Sequence, residues 1–107
     1  MPTNRLEQLK SLLADQPDDP FLLYAIALEI LPNQPAEAGV LFKNLLNNHP
    51  NYLPTYYMAA QFYAEQQDND LAQQTYERGI RLAERTGQLK ALAELKNAYQ
   101  NWQLELD

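Results

Sequence analysis

Cysteine is absent from this 107-residue chain, so disulfide staples and Cys-based zinc sites are excluded, and a reducing compartment suits the composition. Glycine is nearly as scarce. Only Gly39, Gly79 and Gly87 occur, too far apart to build the glycine-rich loop that cradles a phosphate. The single histidine, His49, falls at an expected helix end beside Pro50, with no Ser, Cys or paired acid in register. A capping or solvated role is expected of it, and general-base work is not. Positive charge is in the minority, because 8 Lys and Arg against 14 Asp and Glu leave a formal net charge of −6. Nucleic-acid affinity comes mostly from clustered Lys and Arg, so a phosphate backbone is disfavoured as partner. No apolar run approaches the ~20 residues of a membrane span, and Met1-Pro2-Thr3-Asn4-Arg5 lacks the apolar core of a signal peptide. A soluble cytoplasmic protein that needs no cofactor, metal or membrane is the expectation.

What the chain does contain is enough apolar matter to fold. Hydrophobic residues make up 46% and charged residues 21%, too apolar for a disordered chain, and the length suits one domain with a modest core. Leu6, Leu9, Leu12 and Leu13 stand at three- and four-residue spacings, which predicts a helix beginning near Thr3 and ended by Pro17. Asp18 and Asp19 then offer a side-chain cap, with Pro20 suited to the first turn. Neighbouring acids at a helix start read as caps, not as a catalytic pair. From Phe21 to Leu31 the run is almost wholly apolar, so this central helix is expected to be covered on more than one face.

Pro32-Asn33-Gln34-Pro35 breaks the chain, and Pro35 can open the next helix, which carries Ala38, Leu41, Phe42, Leu45 and Leu46 and closes at His49-Pro50-Asn51. Another begins around Leu53-Pro54 with Tyr56, Ala59, Ala60 and Tyr63. It gives way near Gln67-Asp68-Asn69-Asp70, where an Asp or Asn can cap a helix from Leu71 to a natural stop at Gly87. Leu92, Leu95, Tyr99, Trp102 and Leu106 form one stripe on a last amphipathic helix.

These stretches repeat. Ala38, Phe42 and Leu46 reappear thirty-four positions on as Ala72, Tyr76 and Ile80, while Leu23, Ala27 and Ile30 reappear thirty-three on as Tyr56, Ala60 and Tyr63. A period in this range marks a supersecondary unit that buries its apolar face only by stacking on a copy of itself. The alanines let helix axes approach, and the large residues one turn away fill the space beside them.

On these residues the chain resembles the tetratricopeptide repeat family. That family's pattern has a large residue, a Leu-Gly-like pair and a Tyr on the first helix; Ala, an aromatic and a small residue follow on the second. Tyr56, Ala59-Ala60, Tyr63, Ala72, Tyr76 and Gly79 match it well. Leu23, Ile26-Ala27, Ile30, Ala38, Phe42, Leu45 and Pro50 keep the sizes but lose the first-helix aromatics. Leu9, Leu12, Leu13 and Pro17 resemble the second half of a repeat, with Arg5 in place of the small alanine. The resemblance implies an all-α fold, a right-handed α-α superhelix of helix pairs with a C-terminal capping helix. The expected organisation is a single domain over 1–107, with a half repeat at 3–17, repeats at 20–52 and 53–86, and the cap at 88–106.

In this family the first helix of each pair lines a concave groove that binds a peptide or a partner's helix. The resemblance therefore places Phe21, Tyr24, Leu28 and Leu31 in the groove from the first repeat, and Pro54, Tyr57, Gln61, Ala64 and Glu65 from the second. The members that clamp a C-terminal carboxylate use Lys and Asn there, which Tyr24, Leu28, Tyr57 and Gln61 do not match. An apolar, aromatic groove favours an apolar helix or extended segment. Phe21, Leu28 and Leu31 could equally pack as core or be covered in a homodimer, since apolar residues at helical spacing serve either end.

Chemistry is poorly served elsewhere. Asp68-Asn69-Asp70 resembles the start of a calcium loop but lacks its glycine, and Gly79 stands where the closing Glu belongs. Arg78, Arg81 and Arg85, interleaved with Glu77 and Glu84, read as a solvated face before a contact site for an acidic partner. The expectation is a non-enzymatic interaction module for a protein or peptide partner, with a self-associating structural protein as the alternative.

Overall fold

Three prolines open three of the helices. The computed structural model describes residues 4–106, and the elements it forms are all helical: α1 (Arg5–Asp15), α2 (Pro20–Ile30), α3 (Pro35–Asn48), α4 (Pro54–Glu65), α5 (Asn69–Thr86) and α6 (Leu89–Glu105). Pro20, Pro35 and Pro54 each take the first helical position, where a missing N–H costs nothing and the fixed φ is already helical. Among the described residues there is no strand.

Side-chain caps set the other starts. Asn4 Oδ1 accepts from the Glu7 N–H at 2.8 Å, so α1 begins at Arg5, and Thr3 lies outside the described residues. Asp19 Oδ1 accepts from the Phe21 and Leu22 N–H groups at 2.9 and 3.4 Å. Asp18 is then free to reach the His49 ring. Asp68 Oδ1 accepts from Leu71 N–H at 3.3 Å. Because a cap binds the N–H three residues on, α5 starts at Asn69, two residues before the Leu71 expected from the pattern.

Two helices end in the same way with different residues. After α4, the Gln67 N–H bonds Ala64 O at 3.0 Å and the Asp68 N–H bonds Tyr63 O at 2.9 Å; after α5, the Gly87 N–H bonds Glu84 O at 3.3 Å and the Gln88 N–H bonds Ala83 O at 3.0 Å. Both are Schellman turns, and both need one left-handed residue. Gly87 has φ 69° and Gln67 has φ 61°. Only glycine adopts that region without a Cβ clash. Gln67→Gly is expected to raise stability by roughly 1 kcal/mol and Gly87→Ala to lower it by about as much. Opposite shifts of the urea midpoint would bear this out, and shifts of the same sign would refute it.

The residues divide into two compact units, one ending at Tyr52 and the other beginning at Leu53. In the first, α2 packs against both α1 and α3, which is why its buried residues Leu22, Leu23, Ala25, Ile26, Ala27 and Ile30 leave it no polar face. In the second, α5 packs against α4 and α6, and α6 also touches α4. The repeated alanines Ala27, Ala38, Ala60 and Ala72 are fully buried. So are Phe42 and Leu45, each contributing about 1.5–3 kcal/mol by leaving water. On α6 the expected stripe is only partly inside. Leu95 and Trp102 are buried, whereas Leu106 follows the last turn and is exposed.

Candidate partner-binding clefts

The spacing of residues 21, 24, 25 and 28 puts one stripe along α2, and the end of α1 nearest it closes a cleft of about 300 Å3. Its walls are Phe21, Tyr24, Ala25, Leu28, Glu29 and Arg5. Phe21 is 56% exposed. Tyr24 meets the edge of Tyr52, with ring centroids 5.8 Å apart at 64°. Burial, and then the neighbouring Tyr52, push the Tyr24 hydroxyl above its ordinary value, so it stays a neutral donor. Arg5 Nε approaches Glu29 Oε1 to 3.2 Å at the rim; an ion pair this open to water contributes little. Leu31 is not in this cleft. It follows the last residue of α2, where its N–H bonds Ala27 O.

Tyr57, Gln61, Ala64 and Glu65 form the matching stripe on α4, and they line a second cleft of about 240 Å3 together with Tyr76 of α5 and Ala98, Trp102 and Glu105 of α6. Pro54 is exposed but is not one of its walls. The α6 wall is what the sequence reading missed. The spacing of Leu92, Leu95, Tyr99, Trp102 and Leu106 predicts a packing role for Trp102, although positions 98, 101, 102 and 105 also share a face at helical spacing. Trp102 does both jobs. It stacks with Tyr99 (6.1 Å, 21°) and tilts on Tyr76 (5.8 Å, 34°), and those two tyrosines stack on each other at 5.3 Å. Tyr99 Oη donates to Glu77 Oε2 at 3.2 Å, and burial followed by that carboxylate pushes the Tyr99 hydroxyl up.

The other polar candidates are occupied locally. His49 Nε2 lies 3.0 Å from Asp18 Oδ1, with its ring largely covered, and its N–H bonds Leu45 O at the end of α3. It caps and bridges, and it is not freely solvated. Arg78 lies over the Tyr56 ring at 5.4 Å and donates to the Tyr56 hydroxyl at 3.4 Å, a cation–π contact. The basic strip on α5 is thereby broken, leaving Arg81 and Arg85 exposed. Asp68 serves as a cap. Among the described residues, no group of three or more His, Asp or Glu could hold a metal ion, and no helix is long and apolar enough to cross a membrane.

No family model and no curated protein matches the chain. Solved structures do. A tetratricopeptide repeat domain protein from Salinibacter ruber, determined by solution NMR, is 37% identical over 80% of this chain and 88% of that one, with a TM-score of 0.76. A crystal structure of a tetratricopeptide repeat domain protein from the same organism is 36% identical over 79% of this chain and 97% of that one, with a TM-score of 0.75. This chain belongs to the tetratricopeptide repeat family. The tetratricopeptide fold is that of a protein-interaction module. In this tetratricopeptide chain, the two stripes lie on α2, which packs against α3, and on α4, which packs against α5.

Proposed function

We propose that the chain is a non-catalytic scaffold or adaptor, and that its clefts on α2 and α4 each take an apolar stretch of a partner protein, as a helix or an extended peptide. The observation that carries this reading is that the α4 residues the family pattern assigns to a partner, Tyr57, Gln61, Ala64 and Glu65, line one hollow together. Phe21, Tyr24 and Leu28 line another in the same manner. Tyr and Phe offer large contact area with few rotamers to freeze, which suits a surface that binds before it is covered.

Affinity capture from a lysate tests it, with Phe21→Ala and Tyr57→Ala beside the native chain. Phe21 is chosen because its exposure makes truncation harmless to the fold, which circular dichroism checks. Each variant is expected to retain its partner roughly tenfold less, a loss of about 1.4 kcal/mol. Undiminished retention by both folded variants would remove the clefts from the mechanism. Self-association is a second reading, favoured by Val40, Leu89 and Leu104, which are about 70% exposed outside both clefts. A mass that rises with concentration in sedimentation would support it, and a constant monomer mass would end it.

A further inference from the structure

The charge of the second cleft has a direction. Glu65 closes the last turn of α4 and Glu105 the last turn of α6. Both line the cleft, and both line an adjoining recess of about 550 Å3 where Trp102 is again a wall. No lysine or arginine lines either hollow. Among the described residues, neither carboxylate has an ion-pair or side-chain hydrogen-bond partner. The first cleft differs, since Arg5 meets Glu29 there.

Helix direction adds to the same field. The C-terminal end of a helix carries roughly half a negative charge, so a carboxylate in its last turn is disfavoured and a cation favoured. Neither α4 nor α6 has a basic residue in its last turn. Two negative helix ends and two unneutralised carboxylates thus border one hollow, whose other walls include Tyr57, Tyr76 and Trp102. Aromatic faces attract cations, Trp most strongly, and they also cover the methylene stem of a long basic side chain. Burial first, then Tyr57 and Glu105, push the Tyr76 hydroxyl above its ordinary value.

Resting on the reading that this cleft is a partner site, we propose that it holds the side chain of a lysine or arginine carried on an otherwise apolar segment of a partner protein. The charged head lies between Glu65 and Glu105, and the stem lies along Tyr57 and Trp102. The net charge of −6 draws such a segment in from solution.

The test is selection of a displayed library of random twelve-residue peptides on the full chain. Enriched peptides are expected to carry Lys or Arg at one fixed position beside apolar residues and to change the emission of Trp102, the only tryptophan. They should bind the Glu65→Gln/Glu105→Gln double variant about tenfold more weakly, and the Glu84→Gln/Glu94→Gln variant, altered at exposed sites outside the cleft, nearly as well as the native chain. Enrichment of apolar peptides without a basic residue, bound equally by the double variant, would overturn this inference and leave the partner-site reading standing. No enrichment above the bare support, or Trp102 emission that follows protein concentration through self-association, would overturn both.

Discussion

Trp102→Ala is expected to lower stability by about 3–5 kcal/mol, the range for deleting a buried Phe or Trp. The side chain is 9% exposed and joins a three-ring cluster in which Tyr76 comes from α5 while Tyr99 and Trp102 come from α6. Removing it takes away the burial, two ring contacts and the largest group holding α6 to α5. Few other contacts replace it, since α6 buries only Leu95 besides. In a domain stable by roughly 5–15 kcal/mol the loss is a large share, so α6 should fray before the remainder melts. Far-ultraviolet circular dichroism in a urea titration checks this: reduced helix content in the absence of denaturant and an early transition are expected. Trp102→Phe, which keeps a ring, should recover most of the loss. A variant at alanine that melted like the native chain would show that α6 does not depend on this cluster.

Gly79→Ala carries the second large effect, and it runs against propensity. At an open helical site the change from glycine to alanine adds about 1 kcal/mol of stability. Here a Cβ at residue 79 would lie 2.7 Å from Tyr56 Cβ, 3.1 Å from Tyr56 Cγ and 3.3 Å from Leu95 Cδ1. The leucine tip can rotate away, but Tyr56 Cβ is fixed to the backbone of α4. The axes of α4 and α5 would have to separate, at a net cost of about 1–3 kcal/mol. Tyr56→Leu should not rescue the variant, because leucine keeps the offending Cβ. Thermal melts of the single and double variants decide the matter; stabilisation by Gly79→Ala would mean that the two helices do not approach through this glycine.

The first repeat supplies the comparison. Residue 79 answers to Leu45 by the thirty-four-residue offset, and Tyr56 answers to Leu23 by thirty-three. One pair holds two leucines and the other a tyrosine with a glycine, and Leu23, Leu45, Tyr56 and Gly79 are all buried. Periodicity alone registers that position 79 is small; which atom needs the space emerges only when α4 lies against α5.

The same division holds at the clefts. The stripes of Phe21, Tyr24 and Leu28 and of Tyr57, Gln61, Ala64 and Glu65 could be read from helical spacing, because residues three and four apart share a face whatever the helix packs on. Leu31 fell outside because α2 ends before it, and helix ends are set by a single turn of hydrogen bonds that pattern resolves only to a residue or two. Trp102 and Glu105 stand some forty residues from Tyr57 and Glu65, and nothing local brings them together.

Short-range chemistry was therefore decided in the chain itself. The proline starts, the Asn4, Asp19 and Asp68 caps and the Gly87 stop follow from bonds within one or two turns, which the order of residues dictates. Tertiary packing decided the rest: the His49–Asp18 bridge across thirty-one positions, the seat of Arg78 on Tyr56, the fit of Tyr56 over Gly79 and the carboxylate-bordered aromatic hollow. Those depend on the distance and angle at which one helix meets another, and that geometry is a sum over every side chain in the contact.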